Sequence, residues 1–390
     1  MHFSSFLVAL GLSAASVSAA PSARGTEEAD SLMRAFNEEV VTTLKAEEES
    51  GGAEKRSPGS CNIFNAEVRR DWASFSKCER KAYLDSVLCL QRLPGKSDRN
   101  WAPGVRTRYD DFVAIHIHLT QSIHSTGNFL TWHRYFVWAY EQALKNECGY
   151  KGAQPYWNWF ANTDNVYASP LYDGSDTSFG GDGEFFAHNG SLAATGAVHF
   201  PSGRGGGCIQ SGPFKDYVVN LGPIRPGMQG LEPSPTGNLG YNPHCLRRDL
   251  TQEALSYMTA TNLLNITVGA ASGSISLFQN ELQGRFGDAF AGMHSAGHYV
   301  AGGDGSDVFA SVTEPTFFLH HAMVDRLYWV WQVLHRPIAN TIAGTITIAN
   351  RPPSRDAVVD DILNIGVIGP NITIREAFDT LGGPFCYIYL

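Results

Sequence analysis

The chain has 390 residues, 43% hydrophobic and 17% charged, which is enough apolar sequence for a large buried core and unlike a disordered or fibrous protein. Its formal net charge of −9 argues against an electrostatically driven nucleic-acid binder. No apolar run reaches the ~20 residues of a membrane span.

Residues 3–17 are apolar or small and lead into Val17-Ser18-Ala19, the pattern of a secretory signal cut after Ala19. Residues 20–56 are rich in Glu and end in Lys55-Arg56, which reads as a propeptide removed at a dibasic site. The remainder, 57–390, reads as one domain. Export suits its cysteines: Cys61, Cys78, Cys89, Cys148, Cys208, Cys245 and Cys386 all follow the dibasic pair. An oxidising route favours disulfides, and the odd number leaves at least one thiol unpaired. No CxxC is present, which argues against a cysteine zinc site. In a secreted chain Asn189, Asn265 and Asn371 are glycosylation sequons.

Helical spacing dominates the domain. Ser76-x-x-Glu79 has the form of a capping box opening a helix to about Leu90, and Thr107-x-x-Asp110 opens a second through Ile123. A third helix is expected after Trp132, through Leu144. A fourth contains Met293 to Val300, and a fifth begins near Thr313, with Pro315 in its first turn, and continues through Trp331. Between the third and fourth, residues 160–250 are rich in Gly, Pro, Ser and Asp and read as loops over a scaffold. After Pro337 the run Thr-Ile-Ala-Gly-Thr-Ile-Thr-Ile alternates as strands do. The expected fold is mainly α, a helix bundle with long loops and a small β component.

Eight of the 13 histidines fall in two clusters: His116, His118, His124 and His133, then His294, His298, His320 and His321. A lone histidine is usually a satisfied core or surface residue, but clustering shifts that balance. His294 and His298, four apart, project from one helix face and can share a metal. His320 and His321 point about 100° apart on a helix, so one of the pair should face that metal. Nitrogen ligands without cysteine or carboxylate favour copper or zinc over magnesium or calcium. A single hydrolytic zinc would leave half the histidines unexplained, and there is no HExxH. The residues therefore point to a paired-metal site inside the bundle.

His124-Ser-Thr-Gly-Asn-Phe-Leu-Thr-Trp-His133-Arg-Tyr-Phe resembles the first copper motif of the tyrosinase and catechol oxidase family. Glu314-Pro-Thr-Phe-Phe-Leu-His-His321-Ala-Met-Val-Asp-Arg326 resembles the second, with Pro155-Tyr-Trp-Asn-Trp159 as a further marker between them. The resemblance runs from about Cys61 to Trp331 and is nearest to short secreted fungal polyphenol oxidases. It implies a tyrosinase-like copper domain with two copper ions, O2 as co-substrate and a small phenolic substrate oxidised to a quinone. Carried over by position, His116, His124 and His133 hold one copper and His294, His298 and His321 the other. His320 then lies beside the metal, and His118 is structural. Asp325 is the candidate for orienting a ligand imidazole. Phe317 matches an aromatic gate over the pocket, and Ser295 and Tyr299 occupy positions that face substrate.

Three departures bear on substrate. Gln283 stands where efficient phenol hydroxylases carry a water-holding glutamate, and Ser295 stands where they carry an asparagine. Glutamine cannot ionise and so cannot activate a water as base, which favours diphenols over monophenols. Glu281 is the substitute if the register slips. Ser122 replaces the cysteine that in many relatives forms a thioether to the second ligand. The stretch after His321 is too short for the shielding C-terminal domain of other relatives, which leaves any latency to the pro-segment.

Overall fold

The computed structural model describes residues 23–50, 60–193 and 196–390, so the expected cleavages after Ala19 and Arg56 lie outside the described residues. The helices in chain order are α1 Ala23–Glu49, α2 Lys77–Leu90, α3 Arg108–Ile123, α4 Phe129–Cys148, α5 Ala260–Thr267, α6 Ile275–Gln283, α7 Gly292–Ala301 and α8 Phe317–Leu334. Both expected capping boxes form: Ser76 and Glu79 satisfy each other's backbone at the start of α2, and Thr107 and Asp110 do so at α3. Each such cap contributes about 1 kcal/mol.

Helices α3, α4, α7 and α8 make the bundle, with α8 at its centre. Every α8 residue from Phe317 to Val333 is buried, the pattern of a helix surrounded on all sides. Phe318 stacks face to face on Tyr140 of α4, ring centroids 3.5 Å apart, and packs on Phe112 of α3. Two boundaries differ from expectation. Helix α4 starts at Phe129, ahead of Trp132, because Asn128 ends the preceding loop without a side-chain cap to mark the spot. Helix α8 starts at Phe317, not near Thr313: Glu314, before Pro315, is extended (φ −78°, ψ 111°) and only a short 3-10 turn precedes it.

Among the described residues the β component is five two-stranded pairs. Three of them lie in the loop-rich stretch between α4 and α5. The expected strand after Pro337 does not form. The segment makes only an isolated antiparallel bridge, Thr345 opposite Asp356, and otherwise leans on the loop after α3. There Gly127 N–H donates to Thr345 O at 3.0 Å, and Ala349 N–H donates to Ser125 O at 3.2 Å. The tail's strands are Ile362–Leu363 with Ile372–Thr373, and Tyr387–Tyr389, which pairs in parallel with Glu67–Arg69.

Three disulfides form, Cys61–Cys386, Cys89–Cys148 and Cys208–Cys245, leaving Cys78 as the exposed free thiol. No helix among the described residues is long and apolar enough to cross a membrane.

Candidate metal centre

Helix α3 carries His116 and ends at His124, and α4 presents His133 one turn from its start. Each of these rings is anchored through Nδ1 to a backbone carbonyl: His116 to Phe309 O at 2.7 Å, His124 to Thr120 O at 3.0 Å, and His133 to Phe129 O at 2.8 Å. A proton held on Nδ1 leaves the Nε2 lone pair free. The Nε2 atoms of His116 and His133 are buried without a hydrogen-bond partner. The three histidines offer ligand atoms within 4.8 Å of one another.

The second group is His294 and His298 from α7 with His320 and His321 from α8. His298 Nε2 lies 3.2 Å from Nε2 of both His294 and His321. That spacing suits nitrogens around one ion bound at about 2.0–2.1 Å. Both members of the adjacent pair reach the group, although rotation along α8 suggested that one would turn away. His321 supplies the nitrogen nearest His298, while the His320 ring packs on Trp159 (5.0 Å) and has both nitrogens buried without partners. Gly297 makes this possible: a Cβ there would fall 2.2 Å from the His320 ring.

The two groups meet. His133 and His321 stack with centroids 4.5 Å apart and planes 16° apart. Burial drives all seven imidazoles down, His124 to about 4 and His298 to about 3, the others well below the usual histidine value. They are therefore neutral and available as ligands above mild acidity. Neither group contains a cysteine or carboxylate, a donor set that suits copper, and the orphaned Nε2 atoms are those an ion would satisfy.

The other expected site residues are engaged with protein partners. Phe317 is only 2% exposed and lies between the groups, 4.1 Å from the His321 ring and 5.2 Å from that of His116. Its ring packs against rings of both groups. Tyr299 stacks on Phe200 and donates its hydroxyl to Leu192 O at 3.0 Å, tying α7 to the strand pair Ser191–Ala193 with Val198–Phe200. Ser295 donates to Gln283 O at 2.6 Å, so its hydroxyl is engaged. Gln283 Oε1 in turn accepts from Ser125 N–H at 2.8 Å, the residue after His124. Glu281, the possible stand-in base, is paired with Arg285.

Asp325 does not orient an imidazole among the described residues. Its carboxylate accepts from Arg134 Nε (2.5 Å) and from the hydroxyls of Tyr387 and Tyr389 (2.6 Å each), with Arg69 at 3.4 Å. It locks the C-terminal strand to the bundle, and carbonyls do the orienting in the first group. His118 meets the edge of Trp101, outside both groups. Of the sequons, Asn189 and Asn371 are exposed, while Asn265 is half-buried in α5 with its Oδ1 accepting from Ala271 N–H. The anchoring carbonyls of Phe309, Thr120 and Phe129 escaped sequence reasoning, because a carbonyl leaves no mark in residue identity. Gly297 and the Ser125 contacts escaped it too, since both depend on a distant segment.

A family model described as the common central domain of tyrosinase matches residues 106–334. The chain is 37% identical over 349 residues to N-acetyl-6-hydroxytryptophan oxidase of Emericella nidulans, covering 84% of this chain and 93% of the relative. It is 37% identical over 332 residues to tyrosinase P of Aspergillus terreus, covering 83% and 92%. Among solved structures, a polyphenol oxidase variant from Thermothelomyces thermophila superposes with a TM-score of 0.83 at 36% identity, covering 93% of this chain and 98% of that one.

Proposed function

From the premise that the chain belongs to the tyrosinase family, we propose that it is a copper-dependent oxidase taking o-diphenols to o-quinones while O2 is reduced to water. Two catechols and one O2 give two quinones and two waters. The observation that carries the reading is the pair of buried imidazole groups joined through His133 and His321, with Nε2 of His116 and His133 lacking protein partners. His116, His124 and His133 hold one copper and His294, His298 and His321 the other, with His320 beside the second. Bound copper supplies the electron exchange between phenol and oxygen.

The chain's own contribution is mainly to hold the six rings neutral, dry and fixed. Hydroxylating a monophenol also needs the phenol proton removed. Gln283 has no proton-accepting charge and is engaged with Ser125, Ser295 is engaged with the Gln283 carbonyl, and Glu281 is engaged with Arg285. No free base stands in those positions, which supports weak monophenol hydroxylation at most. The same reading makes the protein secreted through a signal at residues 1–19, with glycans on Asn189 and Asn371.

A second reading, oxidation of one dedicated phenol in a biosynthetic route, is favoured by the relative named as an oxidase of N-acetyl-6-hydroxytryptophan. Oxygen uptake by the copper-loaded protein, given a simple catechol and then its matching monophenol, tests both. Fast uptake on the catechol alone is expected. Comparable uptake on both would reject the reading of Gln283 and Ser295. No uptake on either, with two coppers bound per chain, would reject the general diphenol oxidase in favour of the dedicated one.

A further inference from the structure

Within the stretch that the sequence marks for disposal, Ala23–Glu49 is folded into the protein as α1. Helix α1 is amphipathic: Ala29, Met33, Asn37, Val40 and Leu44 recur at spacings of three and four and are all buried, while Glu28, Arg34, Glu38, Glu39 and Lys45 face outward. Its buried stripe packs on α5 and α8. Leu32, Phe36 and Val41 add partly buried apolar surface along the same contact.

Polar contacts fix its register at separate points. Asn37 is 6% exposed and uses both ends of its amide: Nδ2 donates to Tyr389 O at 3.0 Å, and Oδ1 accepts from Arg326 Nη2 at 3.3 Å. Asp30 accepts from Asn158 Nδ2 at 2.7 Å, and Glu47 pairs with Arg336 at 2.9 Å. Arg326 is itself 3% exposed with its guanidinium over Tyr156. Removing α1 would strip a buried cation of its amide partner and leave an apolar face of the central helix uncovered. None of these contacts involves a histidine of the metal centre, so the helix is not a stopper over the site.

We infer that α1 is a permanent element of the working protein: the α5/α8 face is a docking surface for it, and the helix stays bound after the chain is cut anywhere between Ser50 and Ser60. Processing at a dibasic pair in that interval then yields a two-piece complex, not a body freed of its pro-segment. Most of a helix's stability in a protein comes from packing its amphipathic face, so release would also cost α1 much of its folding. The contact holds without copper or catalysis, so its failure and that of the oxidase reading are separable.

The test is a site-specific protease sequence placed between Ser50 and Ser60 of the full chain, followed by complete cutting, size-exclusion and native mass spectrometry at micromolar concentration. Both pieces should travel together and the thermal midpoint should stay within a few degrees of the uncut protein. Asn37→Ala should weaken retention of the cut piece about tenfold, and Met33→Asp should release it. Should Met33→Asp fail to fold, hydrogen exchange on the uncut wild type serves instead: amides of residues 27–49 protected like those of α8 support the proposal, and free-peptide exchange rates overturn it. Wild-type pieces that separate at micromolar concentration, with the body keeping its melting temperature, overturn it as well.

Discussion

The two histidine groups are built by different means. In the first, each ring is tied through Nδ1 to a main-chain carbonyl, on α3, on α4 or in the loop at Phe309. In the second the main-chain ties are fewer: His298 leans on the backbone at Gly305 and His320 on that at His294, while the rings of His294 and His321 have Nδ1 atoms buried without partners. Packing does most of the rest: Trp159 and Gly297 around His320, Phe317 against His321 and Phe129 against His294. Hydrogen bonds fix a ring's rotation and tautomer before a metal arrives, whereas packing fixes position but leaves the tautomer open. The first group should therefore be the tighter and less plastic site.

The largest effect should come from removing a ligand. His298→Ala is expected to abolish oxidase activity while leaving about one copper per chain, retained by the first group; copper analysis beside oxygen uptake checks this, and retained full activity would break the ligand assignment. Gly297→Ala comes next. Its new Cβ collides with the His320 ring, so copper in the second group should fall with activity at least tenfold lower. Equal loss from both groups would erase the distinction between them.

Gln283→Leu removes the acceptor for Ser125 N–H beside His124, and should weaken copper binding in the first group several-fold. Gln283→Glu keeps an acceptor and should retain the metal. Combined with Ser295→Asn, it is expected to raise monophenol hydroxylation relative to catechol oxidation, and an unchanged ratio would mean these positions do not face the phenol.

The smallest effect is on the metal-free protein. Its imidazoles resist protons that the unfolded chain takes up below about 6.5, so the unfolded state binds more protons in acid and stability falls as pH drops. Because His124 titrates only near 4 and His298 near 3, the loss should begin below about 6.5 and grow down to those values. Thermal melts of apoprotein between neutral and acid pH would show it, and copper should flatten the upper part of that curve.

Local chemistry made much of this legible. Ser76 and Thr107 announced α2 and α3 because a capping box is written in adjacent residues, and the pairing of His294 with His298 follows from helix period alone. The Thr-Ile alternation after Pro337 misled because it has the period of a strand but finds only a single bridge, at Asp356, beside it. Asp325 misled because its position on α8 is local, whereas its partners Arg69, Arg134, Tyr387 and Tyr389 come from both ends of the sequence. Likewise, short helices α5 and α6, only eight and nine residues long, carry too little periodicity to stand out from the loops around them.

The link between the chain's distant ends has a topological consequence. Cys61 is bonded to Cys386 across 325 residues, and Glu67–Arg69 runs beside Tyr387–Tyr389. The body is thus a ring rather than a string. Unfolding yields a closed loop with fewer conformations than a linear chain, which favours the folded state. A permuted gene that fuses these ends and opens the ring at the exposed turn around Thr236 should encode the same architecture.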